Sequence, residues 1–248
     1  MYERSILILD GPDRMLGDAA LGLIAMGIHP HYSTDLDEMI WLAKEHHQRV
    51  GALALPAALL LERLEPIRKR LLEPLSLPLA CAIPLGPRAS ANELERLALA
   101  GVRWAAFDPI APRELRFVLA LALSFADGAE VRRTQRVPVD LPVTVSTGES
   151  TFGAALRDLS PGGAYVGTRA PLRAGTALRL SFRLGDALIE APAEVRWRTA
   201  LDGGFAGWLD ADMGVAFGEL PLNVLEALTR FAAEAEQRFA LASRESRA

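Results

Sequence analysis

Two patterns of apolar residues divide this chain. In the first half, short apolar runs alternate with segments of helical period. Residues 5–9 (SILIL) read as a buried strand and residues 15–26 as a helix stopped by Gly27. Residues 28–33 form a weaker second strand. Asp35 or Asp37 can cap a helix reaching about His47, because a side-chain oxygen at a helix start accepts from amide groups that lack a partner within the helix. Residues 50–55 (VGALAL) are a third strand, residues 57–73 a third helix and residues 79–84 a fourth strand. Ser90, with Glu93 three residues on, fits a capping box opening the next helix. Residues 102–107 are a fifth strand, and Pro112 sits in the first turn of a helix reaching about Ala126. Five strand–helix units with apolar strands imply a parallel sheet with helices on both faces, a (βα)5 α/β domain over residues 1–126.

The second half follows a different rule. Residues 141–145, 151–156, 164–167, 177–184, 187–198 and 213–217 are short strand-like runs punctuated by Gly, Pro and Asp. Such a series implies a small antiparallel β-barrel or sandwich. Leu225, Leu228, Ala232, Ala235 and Phe239 recur at helical spacing in a last segment, residues 222–242. The passage between the two patterns is polar, so residues 127–131 read as a linker and residues 132–248 as the second domain with its C-terminal helix.

Composition narrows the function. A length of 248 residues accommodates two domains, and half of them are hydrophobic, enough for packed cores. The formal net charge of -4 provides no global basic field, so no nucleic-acid partner is expected. Cys81 lies in an apolar run and reads as a small core residue. The histidines at 29, 31, 46 and 47 have no Cys or tight carboxylate cluster beside them, so no metal is expected. The apolar run at the N-terminus is too short for a signal peptide. The longest apolar stretch, residues 117–126, falls far short of the ~20 residues that span a bilayer. A soluble, cytoplasmic protein without membrane insertion is the expectation.

The order and length of the first half resemble a response-regulator receiver domain. In that family, carboxylates after the first strand hold Mg²⁺, an Asp after the third strand takes the phosphoryl group, and a Lys before a Pro follows the fifth. Asp10 and Asp13 do follow the first strand here. The third strand, however, ends Ala54-Leu55-Pro56 without an acid, and Asp108-Pro109 puts an acid where the lysine belongs. Phosphoryl transfer by that mechanism needs both missing groups. This half therefore reads as a pseudo-receiver, a packing or docking module, with an unrelated flavodoxin-like domain as the alternative. Asp10 and Asp13 read as a helix N-terminal pair without metal.

In the second half, three elements occur in order: Arg132-Arg133-Thr134-Gln135-Arg136 (RxxxR), Asp158-Leu159-Ser160-Pro161-Gly162-Gly163 (DxSxxG) and Gly214-Val215-Ala216-Phe217. Together they resemble the PilZ family over roughly residues 130–240. The resemblance implies a small antiparallel barrel with a C-terminal helix that binds cyclic diguanylate (c-di-GMP). The implied ligand contacts are Arg132, Arg133, Arg136, Asp158, Ser160, Gly162 and Gly163. Their chemistry suits the ligand. An arginine fork matches the O6 and N7 acceptors of guanine and also takes phosphate oxygens. The Asp158 carboxylate and the Ser160 hydroxyl can accept from the N1–H and N2–H₂ donors on the other edge. Gly163 permits a turn or a close approach to the base. Trp197 and Trp208 read as core or rim aromatics.

A receptor that passes nucleotide level to a protein partner is therefore the expected function, with c-di-GMP as ligand and no other cofactor. An enzyme is disfavoured, because the chain has no GxSxG, HExxH or P-loop and no GGDEF signature. A DNA-binding response regulator is disfavoured by the acidic balance. The remaining alternative is a degenerate PilZ/receiver adaptor that acts without nucleotide. The pathway, with motility among the possibilities, and the ligand stoichiometry stay open at this point.

Overall fold

The computed structural model describes residues 5–11, 13–14, 16–25, 30–47, 49–126, 136–199 and 212–241. The expected linker, Arg132, Arg133 and Trp208 lie outside the described residues. The chain divides into two compact units, Met1–Arg133 with Glu236–Ala248, and Thr134–Ala235.

In the first unit, β1 (Ser5–Leu9), β2 (His31–Ser33), β3 (Val50–Pro56), β4 (Ala82–Gly86) and β5 (Ala106–Phe107) form a parallel sheet in the order β2-β1-β3-β4-β5. This is a doubly wound α/β order. Alternate residues of the central strands go to opposite faces. Leu7, Leu9, Leu53 and Leu55 join a core with Met39, Leu60 and Leu71, while Ile6, Ile8, Ala52 and Ala54 are just as buried. A sheet with both faces covered needs strands that are apolar throughout, which is the pattern these segments carry.

The helices of this unit are α1 (Gly17–Ala25), α2 (Leu36–Glu45), α3 (Ala57–Glu62), α4 (Leu64–Ile67), α5 (Ala91–Leu99) and α6 (Pro112–Ala126). Asp35, not Asp37, caps α2: its carboxylate accepts from Glu38 N at 2.8 Å. The Ser90–Glu93 capping box on α5 is present in both directions. The expected helix over residues 57–73 is broken. Pro66 has no N–H to give to the carbonyl four residues back and its ring crowds that carbonyl, so the helix cannot run through. Arg63 leaves helical geometry between α3 and α4, and the segment continues as a π turn, Arg68–Leu72, and a 3-10 turn, Glu73–Leu75. The fourth strand also starts later than expected, because Leu79–Cys81 is a 3-10 turn. Cys81 is fully buried, as a core residue should be.

Asp10, at the end of β1, is only 1% exposed. It accepts from Gly11 N at 2.7 Å, from Leu16 N at 2.8 Å just ahead of α1, and from the Tyr32 hydroxyl at 2.8 Å. Burial, reinforced by Asp10, pushes the Tyr32 pKa up, so this phenol keeps its proton and remains a donor. Asp13 is exposed.

The expected strand at residues 102–107 is paired in the sheet only at Ala106–Phe107. Gly101 has a φ of +101°, and Val102 N returns to Leu97 O, closing the end of α5. Residues 103–105 pair instead with residues 239–241. Ala105 N donates to Phe239 O and Leu241 N to Arg103 O, both at 2.9 Å. Around this ladder, Arg238 pairs with Glu114 at 2.7 Å and Phe239 meets Phe117 edge-on at 5.9 Å. Residues 236–248 thus group with the first unit.

The second unit is a closed barrel of β6 (Val137–Ser146), β7 (Thr151–Ser160), β8 (Gly163–Gly167), β9 (Ala177–Leu184), β10 (Ala187–Arg198) and β11 (Asp212–Phe217). The strands run antiparallel in the order β10-β11-β8-β7-β6-β9. Closure leaves no free sheet edge. Val145, Leu156, Val166, Leu180, Ile189, Val195 and Val215 fill its core together with Val224 and Leu228 of helix α7 (Leu222–Gln237). Helix α7 is shorter than the expected 222–242. Among the described residues no helix is long and apolar enough to cross a membrane, and no group of three or more His, Cys, Asp or Glu is gathered as for a metal ion.

Candidate functional site

The DxSxxG residues occupy the end of β7 and the start of β8, between the expected strand runs 151–156 and 164–167. Asp158 and Ser160 are strand residues, and only Pro161 and Gly162 turn the hairpin. On a strand, successive side chains alternate between faces. Leu156 and Leu159 point into the core, three residues apart, which regular alternation forbids. A β-bulge between Leu156 and Asp158 supplies the extra residue, Arg157, and leaves Asp158 and Ser160 on the outer face. Arg157 is tied outside the barrel by a 2.7 Å ion pair with Asp140.

Strand pairing brings Arg136 to the same place. Val137 is opposite Leu159 and Pro138 opposite Asp158. Arg136, the residue before Val137, therefore comes in beside Ser160. The barrel gathers Arg136, Asp158, Ser160, Gly162 and Gly163 at one end of β6, β7 and β8. Arg132 and Arg133 are outside the described residues.

Ser160 is 6% exposed and its hydroxyl donates to Gly163 O at 3.1 Å. With the proton used across the hairpin, the oxygen is left as an acceptor. Neither Gly162 nor Gly163 has a positive φ. Gly163 is required for a different reason: a Cβ there would stand 2.2 Å from the Val215 carbonyl oxygen and 3.2 Å from Ala216 Cα. The glycine lets β8 and β11 come together, a role distinct from the turn or base approach that the sequence suggested. Gly162 is exposed with open space around it, and its carbonyl accepts from Phe217 N at 3.1 Å. That bond joins the DxSxxG hairpin to the Gly214–Phe217 segment.

Beside these residues lies a feature the motifs did not announce. Across four neighbouring strands, Asp158 is opposite Tyr165, Tyr165 opposite Gly214, and Gly214 opposite Trp197. Tyr165 and Trp197 have ring centroids 5.4 Å apart, and the Tyr165 hydroxyl donates to Asp212 Oδ2. Trp197 is neither core nor fully exposed; it is 40% exposed. The signal in the sequence was the strand alternation itself, which places Tyr165 two residues after Gly163 on the same face. Two hollows on the barrel, one around Thr144, Gly153 and Phe182 and one around Arg179, Pro192 and Asn223, lie apart from this row. The candidate site is therefore a strand face of the barrel, apart from these hollows.

The PilZ domain family matches residues 130–234, a stretch that takes in all three motifs and amounts to less than half the chain. Among solved structures, the chain is similar to the Bacillus subtilis inhibitor of motility MotI/DgrA, with 21% identity and a TM-score of 0.39 over 44% of this chain and 53% of that one. It thus spans about half the length of that relative. It is also similar to the PilZ domain of Escherichia coli YcgR with c-di-GMP, at 20% identity and a TM-score of 0.37, covering 44% of this chain and 94% of that one. A third similar structure is Borreliella burgdorferi PlzA in complex with c-di-GMP, at 17% identity and a TM-score of 0.31, covering 49% and 48%. No curated protein matches the chain. The six-stranded closed barrel and the family match together place a PilZ domain at residues 130–234 of this chain.

Proposed function

We propose that this protein is a c-di-GMP receptor whose barrel holds the nucleotide through Arg132, Arg133, Arg136, Asp158, Ser160, Gly162 and Gly163, and that it signals through a protein partner. The observation that carries this reading is the convergence of Arg136, Asp158 and Ser160 on one outer face of the barrel. Asp158 supplies a charged acceptor for the N1–H and N2–H₂ donors of guanine, and the Ser160 oxygen, its proton already given to Gly163 O, supplies a neutral one. Arg136, with Arg132 and Arg133 just ahead of it in sequence, supplies forks for guanine O6 and N7 and for the phosphodiesters.

On the same reading the first unit is a pseudo-receiver that serves as a docking module. Its β3 ends at Pro56 with no carboxylate to phosphorylate, and Asp108 follows β5 where a lysine would be needed. Residues 127–131 join it to the nucleotide-binding domain, and the cytoplasm, where cyclic dinucleotides act, is the compartment.

Titration calorimetry of the full chain with c-di-GMP and, separately, with cyclic diadenylate tests the reading. Cyclic diguanylate should bind, and cyclic diadenylate should bind poorly, because adenine does not offer Asp158 the same pair of donors. Equal affinity for the two nucleotides would remove Asp158 from base recognition. Absence of c-di-GMP binding would leave the adaptor that acts without nucleotide.

A further inference from the structure

We propose that residues 103–105, with Glu114 and Phe117 of α6, form a groove on the first unit that takes an extended segment of the partner as an added strand. Residues 238–241 of the chain occupy this groove until displaced. The inference deepens the docking-module reading above by naming the surface and the partner's chemistry. β4 pairs with β5 only at Ala106 and Phe107, so residues 103–105 continue the chain at the sheet edge without a partner strand of that sheet. An edge of this kind is a template for another strand, which adds main-chain hydrogen bonds and places its side chains in flanking pockets.

The chain's own segment shows what the groove accepts. It runs antiparallel to residues 103–105, with Ala240 opposite Trp104. Phe239 O accepts from Ala105 N, and Leu241 N donates to Arg103 O. Glu114 takes the Arg238 guanidinium, the Phe117 ring meets Phe239, and Leu241 packs against the core of the unit. A cation, then an aromatic residue, then an aliphatic one two positions on is therefore the chemistry of the partner segment.

The occupant is held like a ligand, not like a strand of the sheet. Every residue of β3 from Val50 to Leu55 is buried, whereas none of residues 238–241 is. Two backbone hydrogen bonds tie it to residues 103–105 among the described residues. The Arg238 side chain is 64% exposed, so solvent weakens its ion pair with Glu114. Opposite Ala240, Trp104 is buried, and its Nε1 has no acceptor among the described residues, a cost this occupant leaves in place. Because the segment is part of the same chain, it competes at a high effective concentration. A partner must therefore match its chemistry and improve on its fit.

The test uses the full chain carrying Arg238→Glu and Phe239→Ala, which empties the groove, and a labelled, capped peptide of residues 236–241 as the probe. Fluorescence anisotropy should show the peptide binding this variant at least tenfold more tightly than it binds the unaltered chain. Replacing the peptide's phenylalanine by alanine should weaken binding about tenfold or more. Hydrogen exchange should find the Ala105 amide protected in the unaltered chain, exchanging faster in the variant, and protected again when the peptide is added. A folded variant that does not bind the peptide at about 1 mM overturns the groove alone and leaves docking by another face of the first unit. Loss of the first unit's urea transition in the variant also overturns it, because residues 238–241 would then be an integral strand. Sedimentation of the unaltered chain as a dimer that the variant loses would assign the groove to exchange of this segment between two copies and overturn the partner reading.

Discussion

Gly163 on β8 passes directly under the backbone of β11: a Cβ at this position would stand 2.2 Å from the Val215 carbonyl oxygen. The contact is with backbone, which cannot rotate away, so Gly163→Ala must spread two paired strands of the barrel. We expect it to destabilise the second unit by about 3 kcal/mol or more, at or above the upper end of overpacking costs. Gly162→Ala, with open space around it, should stay within about 0.5 kcal/mol of the parent. Urea denaturation of the two variants separates the adjacent glycines.

In the first unit, Asp10 is expected to matter for stability. Its buried carboxylate accepts from Leu16 N, Gly11 N and the Tyr32 hydroxyl. Asp10→Ala leaves those donors without their acceptor and should cost about 2–4 kcal/mol, at ~1–3 kcal/mol for each donor left buried and unpaired. Tyr32→Phe removes a single hydrogen bond and should cost about 1 kcal/mol. Chemical denaturation measures both.

His31 on β2 stacks on His46 at the end of α2, with ring centroids 4.1 Å apart and planes 15° from parallel. Burial, and then the charge of His46, hold the His31 pKa below its ordinary value. The folded state therefore resists protonation of this ring. Its contribution to stability is complete above the ordinary imidazole range and is lost as pH falls through that range toward the lowered pKa. The urea midpoint of the first unit should drop between pH 7.5 and pH 5. His31→Phe, which keeps the stack without the charge, should flatten that slope, and an unchanged slope would assign the acid sensitivity to other groups.

Much of the architecture was legible because buried strands and amphipathic helices impose different periods. The six strand runs of the second half all appear in the barrel, and the capping box at Ser90 and Glu93 forms as its spacing requires. The misreadings have physical causes. Residues 103–105 lie in a strand-like run, yet their pairing partner is residues 239–241, more than a hundred positions away, where local periodicity carries no information. Pro66 breaks a helix whose apolar period runs on past it. At the site, Asp158 and Ser160 were recognisable as a motif, but their outward direction depends on a bulge at Arg157 that no composition signal marks. The Asp158–Tyr165–Gly214–Trp197 row is a product of strand register, which emerges only once the barrel closes.

The first unit should not accept a phosphoryl group by the receiver mechanism. With Leu55 and Pro56 closing β3 and Asp108 after β5, neither the nucleophile nor the neutralising lysine is in place. Incubation with acetyl phosphate and Mg²⁺, followed by borohydride trapping and mass spectrometry, should find no phosphoaspartate in residues 1–126. One found there would contradict the pseudo-receiver reading.

The central claim is that the arginines ahead of β6 and the acceptors on β7 form one nucleotide site. Titration calorimetry of the Arg132→Ala/Arg136→Ala double variant against c-di-GMP tests it most directly. A hydrogen bond to a charged group contributes ~1.5–3 kcal/mol, so losing several should weaken binding by about two orders of magnitude or more while the barrel stays folded, as urea denaturation reports. Affinity within a few-fold of the unaltered chain would contradict the account.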